Sequence, residues 1–217
     1  SFEEEALKAQ AIASRTYAKY KMNTSTREYD VVTDVSNQSY ITIEEMKNKW
    51  KDEFSVYYSK IKNAVLETEG KVMTYNNEII EAYYFAMSNG YTETASLVFS
   101  QDKDYLQSVE SSYDNNELKN FEVTTEFTKE EICEKLSVVC DTLTFTNIER
   151  SITNRVNYIT INNNRIKGTE FRSKLNLRST DFTINEKNNK IYITTKGYGH
   201  GVGMSQYGAN GMAKNGS

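Results

Sequence analysis

Residues 4–21 read EEALKAQAIASRTYAKYK, a run without glycine in which five of eighteen residues are alanine. A stretch so rich in strong helix formers is predicted to be one helix. Ala6, Ala9, Ala13 and Tyr17 share a face, and Leu7, Ala11, Ser14 and Ala18 share its neighbour. Side chains this small let other elements come near, so the helix is expected to be packed closely on several sides. Glu3, Glu4 and Glu5 stand at its start, where the helix macrodipole favours negative charge.

The rest of the chain alternates helical and strand-like patterns. Residues 23–40 carry no helical period and read as a loop. Thr42 opens a second helix with Glu45 as the partner in a capping box, and residues 54–66 continue in helical style. Residues 71–75 and 78–85 read as a hairpin around Asn76-Asn77. Residues 86–99, with the turn signal Ser88-Asn89-Gly90, read as a loop. Beyond about residue 121 come a strand at 121–127 and a helix at 128–136 with Thr128 and Glu131 as its capping box. Strands follow at 143–150 and 155–161, then a helix at 169–175 and strands at 182–184 and 190–195. Six of the ten glycines fall in the tail, residues 197–211, GYGHGVGMSQYGANG. The fold class is α+β, mixed helices and antiparallel strands. It is organised as one domain over 1–217, or with a small inserted α/β subdomain at about 120–180.

Composition excludes several functions. A formal charge of −4 argues against a nucleic-acid binder that relies on bulk positive charge. No apolar run approaches the roughly 18–20 residues that span a bilayer. The chain begins Ser1-Phe2-Glu3 without an initiator Met, so a preceding N-terminal anchor is compatible with it. One histidine and two cysteines are too few for a four-ligand Cys/His zinc site or a disulfide-stapled scaffold. If one helix carries both Cys133 and Cys140, their Cα atoms lie about 10 Å apart, too far for a disulfide. Free thiols or simple packing are expected.

Two places can carry chemistry. Facing inward with Ala9 and Ile12, the Glu5 carboxyl would sit beside apolar surface. Desolvation would then raise its pKa and suit it to general acid work. Lys8, one turn away, opposes that rise, as would Arg15 if it folds back. The plain alternative is an exposed first-turn glutamate. In the tail, His200, Ser205 and Gln206 offer hydrogen bonds to a polar ligand such as a sugar, or else belong to a structural turn. GYGHGVG lacks the Gly-Lys-Ser/Thr ending of a phosphate loop. Ser88 sits in a turn that either presents polar groups or merely reverses the chain.

The stretches EALKAQAIASRTYAKY (5–20), SNGYTE (88–93), LRSTDFTI (177–184) and GYGHGVGMSQYGANGMAKNG (197–216) resemble the stage II sporulation protein D family, in the same order and at similar separations. The resemblance covers essentially the whole chain. It implies a lytic transglycosylase that cuts peptidoglycan glycan strands during engulfment in endospore formers. Those strands have already been stripped of stem peptides by a partner amidase, stage II sporulation protein P. The family's catalytic acid is the glutamate opening the first motif, here Glu5. Its members face outward from the mother-cell membrane, in the engulfment complex, held by an N-terminal helix. Lys8, Gln10, Arg15, Ser88, His200, Ser205 and Gln206 are the candidates for orienting sugar hydroxyls and acetamides or bracing Glu5.

One carboxyl group suffices for that chemistry. Glu5 would protonate the glycosidic oxygen and then, as carboxylate, take the proton from the muramic C6 hydroxyl as it closes onto C1. Hydrolases instead commonly use a second carboxylate. Family members with a metal carry a pattern resembling ADxCxDxxHCQxY after the first helix. The matching stretch here, residues 29–40, is YDVVTDVSNQSY, with Val32 and Asn37 at the cysteine positions and no histidine. No zinc is expected, Cys133 and Cys140 lie elsewhere, and Gln38 and Tyr40 are candidates to brace the loop. The rival reading is a non-catalytic glycan-binding module that enhances or recruits a cell-wall amidase.

Overall fold

The computed structural model describes residues 2–34, 37–141 and 143–216. Val35 and Ser36, part of the stretch compared with the metal-binding pattern, lie outside them. The chain divides into two compact units, residues up to Tyr84 with those from Ala209, and residues 85–208. Helices and antiparallel strands in small sheets make it a mixed α+β protein. Among the described residues no helix is long and apolar enough to cross a membrane.

In the first unit the alanine-rich run forms α1 (Glu4–Thr24), which buries Ala6, Ala13, Thr16 and Tyr17. Burying Thr16 leaves no orphan hydroxyl, since its Oγ1 donates to the Ile12 carbonyl at 2.7 Å and accepts the Met73 N–H at 2.9 Å. Helix α2 (Ile43–Trp50) starts at Thr42 with both halves of the Thr42–Glu45 capping box formed. After a 3₁₀ turn at Lys51–Glu53, α3 (Phe54–Glu67) packs along α1. Strands β1 (Thr74–Tyr75) and β2 (Glu78–Ile79) pair across Asn76-Asn77, both at positive φ. The expected single strand over 78–85 stops early. Glu81 is buried and takes an ion pair from Lys21 of α1, and strand character returns only at β3 (Tyr84–Phe85).

The second unit holds a short helix, α4 (Ala95–Phe99), inside the segment expected to be all loop. Strand β4 (Glu122–Thr128) leads into α5 (Lys129–Leu136), whose Thr128–Glu131 capping box is complete. Then follow β5 (Phe145–Arg150), β6 (Val156–Ile161), β7 (Asn164–Lys167), α6 (Gly168–Lys174), β8 (Phe182–Lys187) and β9 (Lys190–Lys196). Two antiparallel sheets result, in orders β4-β9-β8 and β5-β6-β7. Their apolar faces and helices α5 and α6 enclose one core, including Ile132, Ile159, Phe171, Phe182, Ile191 and Ile193. On β9, Ile191, Ile193 and Thr195 alternate inward with a period of two. Asn162-Asn163 and Asn188-Asn189 close the β6–β7 and β8–β9 hairpins at positive φ, as Asn76-Asn77 does. Asparagine tolerates this conformation better than most residues, and two-residue hairpin turns need it twice.

The structure adds one element and corrects one expectation. The chain from Gln206 to Lys214 is a helix, α7, after the short strand β10 (Met204–Ser205). Cys133 and Cys140 form a disulfide with Cα atoms 5.5 Å apart. They do not share a helix, because α5 ends at Leu136 and Ser137 takes a left-handed φ of 58° that turns the chain back. Closing so short a loop restricts the unfolded chain by about 2 kcal/mol. A Cys133→Ser, Cys140→Ser double variant is expected to lose that much in urea denaturation, and unchanged stability would show that the bridge contributes nothing.

Candidate functional site

Glu5 occupies the first turn of α1. The N-cap residue, Glu3, has no side-chain cap of its own. Its N–H instead donates to Oδ1 of Asn210 on α7 at 2.7 Å, and its carbonyl accepts the Leu7 N–H at 3.1 Å. A buried asparagine from the far end of the chain thus satisfies one of the donors that a helix start leaves unpaired. The Glu5 side chain is 66% exposed, so of the two arrangements open in the sequence it takes the exposed first-turn one rather than the inward-facing one. The carboxylate pairs with Lys8 Nζ at 2.9 Å, and that ammonium also holds Glu67 of α3 at 2.7 Å and Glu4 at 3.2 Å. Its hydrogen bonds to Glu67 and then Glu5 hold Lys8 above the usual lysine range.

The other first-helix candidates do not gather round Glu5. Gln10 Nε2 donates to Ser14 Oγ at 2.9 Å. Arg15 does not fold back. Its guanidinium donates to the carbonyls of Thr68 at 2.7 Å, Lys71 at 3.0 Å and Val65 at 3.2 Å. A cation suits the C-terminal end of α3, so Arg15 bolts α1 to α3.

The loop after α1 does not suit a zinc ion. Val32 has no donor atom in its side chain, and Asn37 uses both of its polar atoms. Asn37 Oδ1 accepts the Val32 N–H at 2.9 Å, and Nδ2 donates to the Tyr17 hydroxyl at 2.9 Å. Gln38 reaches out of the loop to the Ser14 carbonyl at 2.9 Å, while Tyr40 closes it through its backbone N–H to Thr33 O. Among the described residues no group of three or more His, Cys, Asp or Glu is placed to hold a metal.

In the second unit the tail lies against the SNGYTE loop. The N–H of Tyr198 donates to Met87 O at 2.7 Å, and that of Glu93 to Gly201 O at 2.7 Å. Gly201 has a φ of 87°, and an added Cβ would lie 2.7 Å from Nε of the buried Arg155, so only glycine suits this position. His200 sits half-buried between the rings of Phe85 and Phe99. Its Nδ1 accepts the Val202 N–H at 3.1 Å, so the ring proton in this arrangement is on Nε2. Ser88 is fully buried, and its Oγ accepts the Gly90 N–H at 3.0 Å, a turn contact rather than a ligand contact. Ser205 is buried too and caps α7 by accepting the Gly208 N–H at 3.1 Å. Gln206 begins α7 and is half-buried.

Sequence reasoning missed Glu93. It is 2% exposed and accepts from Ser151 Oγ at 2.6 Å and Thr153 Oγ1 at 2.5 Å. Arg155 in turn donates to Thr153 Oγ1 at 3.1 Å and to Tyr91 O at 2.8 Å. Burial pushes the guanidinium down, and Glu93, Asp181 and Asp114 oppose that shift. The signal available in the sequence was a carboxylate inside a turn-rich stretch, which says nothing about partners so far along the chain.

A family model, SpoIID (Stage II sporulation protein), matches residues 1–75. The stage II sporulation protein D of Bacillus subtilis is 40% identical over all of this chain and 65% of its own length. That of Bacillus amyloliquefaciens is 41% identical over 99% of this chain and 64% of its own. The chain belongs to the stage II sporulation protein D family. It spans slightly less than two thirds of these two members of the family. A Bacillus subtilis protein named amidase enhancer is 26% identical over 98% of this chain and 36% of its own length. The family match lies in the first unit and includes Glu5, Lys8, Gln10, Arg15 and the loop after α1, while the two Bacillus members also align with the tail.

Proposed function

We propose that this sporulation protein is a lytic transglycosylase of peptidoglycan, acting on glycan strands already freed of stem peptides. The observation that carries the reading is the position of Glu5 at the opening of the stretch that aligns with stage II sporulation protein D, reachable from solvent at the start of a helix whose N-cap N–H is held from α7. Such a group can reach a glycosidic oxygen, give up a proton there when it is in its protonated form, and as the carboxylate so formed take one from the muramic C6 hydroxyl as the 1,6-anhydro ring closes. The neighbouring Lys8 ammonium stabilises the carboxylate between those steps. No step is routed through a metal, and hydrogen bonds of Asn37 and Gln38 brace the loop in its place.

The partners in this reading are the stripped strands, the sporulation amidase that prepares them, and the membrane-held engulfment complex. The location is extracytoplasmic, anchored in the mother-cell membrane by a helix that precedes this chain in its family. The Cys133–Cys140 bridge supports that location, since disulfides persist in oxidising compartments. A second reading, a non-catalytic module that enhances a cell-wall amidase, draws on the relative named amidase enhancer.

Mass spectrometry of products from stripped strands separates the readings. The native chain is expected to yield anhydro-ended fragments, and Glu5→Gln to lower their rate by a factor of at least about 100. Reducing ends would mean hydrolysis. Strand binding without cleavage would leave the enhancer.

A further inference from the structure

We propose that Glu67, the last residue of α3, is a positioning residue for Glu5. It acts through Lys8, drawing the ammonium toward α3 and so dividing a positive charge that Glu5 and Glu4 would otherwise hold between them. The inference rests on the glycan reading above and deepens it, since it says what lets Glu5 carry a proton. The chemistry asks two opposed things of one carboxyl group. It must arrive protonated to serve the glycosidic oxygen, and it must then persist as carboxylate until the C6 hydroxyl gives up its proton. A cation at its side favours the second state and opposes return to the first. How firmly the ammonium is bound to Glu5 therefore bears on the acid.

Lys8 serves three carboxylates at once. Its Nζ lies 2.7 Å from Glu67 Oε2, 2.9 Å from Glu5 Oε1 and 3.2 Å from Glu4 Oε1. An ammonium has three N–H donors, so each carboxylate can take one. Glu4 and Glu5 stand one turn back along the same helix and would meet Lys8 in α1 alone. Glu67 meets it only because α3 packs along α1, and its contact is the shortest of the three. The same bond comes first among the interactions that hold Lys8 above the usual lysine range. The Lys8 side chain is only 21% exposed, which leaves the ammonium little freedom to turn away.

A second, independent contact fixes where Glu67 stands. Further along α1, Arg15 donates to the carbonyls of Val65, Thr68 and Lys71, which flank Glu67 on both sides. The end of α3 is thus pinned to α1, and Glu67 is presented to Lys8 from a held backbone. Other charged groups on the elements packed against α1 stand elsewhere. Lys60 of α3 lines a groove with Leu7, which points about 200° round the helix from Glu5. Glu78 of β2 and Lys214 of α7 form no ion pair with Glu4, Glu5 or Lys8 among the described residues. The charge that faces Glu5 is therefore set by Lys8, Glu4 and Glu67. Of these, Glu67 is the one whose removal leaves α1 itself unaltered.

Two readouts at low salt test this. One is the alkaline limb of the pH profile for cutting stripped strands. The other is the pH at which the Glu5 carboxyl takes its proton, followed by carbon NMR and assigned with Glu5→Gln. Glu67→Gln removes one negative charge and lets the ammonium settle on Glu5. Both midpoints are expected to move to lower pH by about half a unit, the size of an exposed ion pair, which is about a threefold fall in rate on the alkaline side. Lys8→Met removes the cation and is expected to move both to higher pH by about as much. Glu67→Asp keeps the charge and is expected to stay within about 0.2 unit of the parent. In about 0.5 M salt the Glu67→Gln shift should fall to less than half, as screening requires and a merely structural disturbance does not. No shift in Glu67→Gln, a shift to higher pH, or one that salt leaves unchanged overturns the proposal. A native chain that cuts nothing overturns the enzymatic reading alone, because the NMR midpoint still reports what Glu67 does to Glu5. A chain that cuts strands while Glu67→Gln moves neither midpoint overturns this inference alone.

Discussion

Gly168→Ala is expected to prevent the second unit from folding. Gly168 is the first residue of α6, and its backbone lies directly against β6. A Cβ placed there would fall 1.8 Å from the Val156 carbonyl oxygen and 2.7 Å from its carbon, both backbone atoms that cannot rotate aside. Val156 is held from the other side as well, since its N–H donates to Thr180 O at 2.8 Å. Relief therefore requires α6 to move off the sheet, which pulls Phe171 out of its 4.8 Å stack with Phe182 in the core. Loss of about 4 kcal/mol or more is expected, in the range where single substitutions unfold a domain. Gly70→Ala is the control, because it meets nothing within 4 Å and only its φ of 75° is strained. Its cost is expected to be near 1 kcal/mol. Thermal melting of the two variants would refute the argument if Gly168→Ala melted within a few degrees of the parent.

Glu93→Ala should cost roughly 3–5 kcal/mol, because it removes the negative member of a buried network and leaves the positive one behind. Ser151 and Thr153 lose their acceptor, and Arg155, 3% exposed, keeps a charge that Glu93 had helped to offset. Glu93→Gln keeps the shape and one acceptor oxygen, so an intermediate loss is expected. Replacing Arg155 by Met in the Glu93→Ala chain should return part of the stability, since no unpaired charge then remains. Urea denaturation of the three variants checks this. A loss below about 1 kcal/mol for Glu93→Ala would mean that the hydroxyls and guanidinium find other partners. The Glu93 backbone holds Gly201 beside His200, so a loosened loop should also blur the His200 position, visible as broadened imidazole resonances.

Elements with local causes were legible in advance. The capping boxes Thr42–Glu45 and Thr128–Glu131 join residues three apart, and both formed. Asn76-Asn77 announced its hairpin. The same signal stands at Asn162-Asn163, where it marks the turn into β7. The disulfide is not legible in the sequence, because a separation of seven excludes it only along a continuous helix and α5 ends before Cys140. Helix α7 was hidden by its glycines. Gly208 is there for space, since a Cβ would meet Ser111 Oγ at 2.5 Å and Asp114 Oδ2 at 3.0 Å. Glu5 was identified by resemblance to a family motif, and its exposure and ion pair with Lys8 came only with the folded chain.

By itself the sequence determined where the capped helices α2 and α5 begin, where the Asn76-Asn77 hairpin turns, which family the chain belongs to, and which carboxylate to suspect. Each depends on neighbours a few residues apart or on the order of motifs. The tertiary structure alone decided that Asn210 holds the helix start at Glu3, 207 residues away, and that Glu93 gathers hydroxyls 58 and 60 residues along. It also decided that Arg15 serves the C-terminal end of α3. Hydrogen bonds and charges act over a few ångströms whatever the distance along the chain. Their partners are therefore settled only when packing has brought them together.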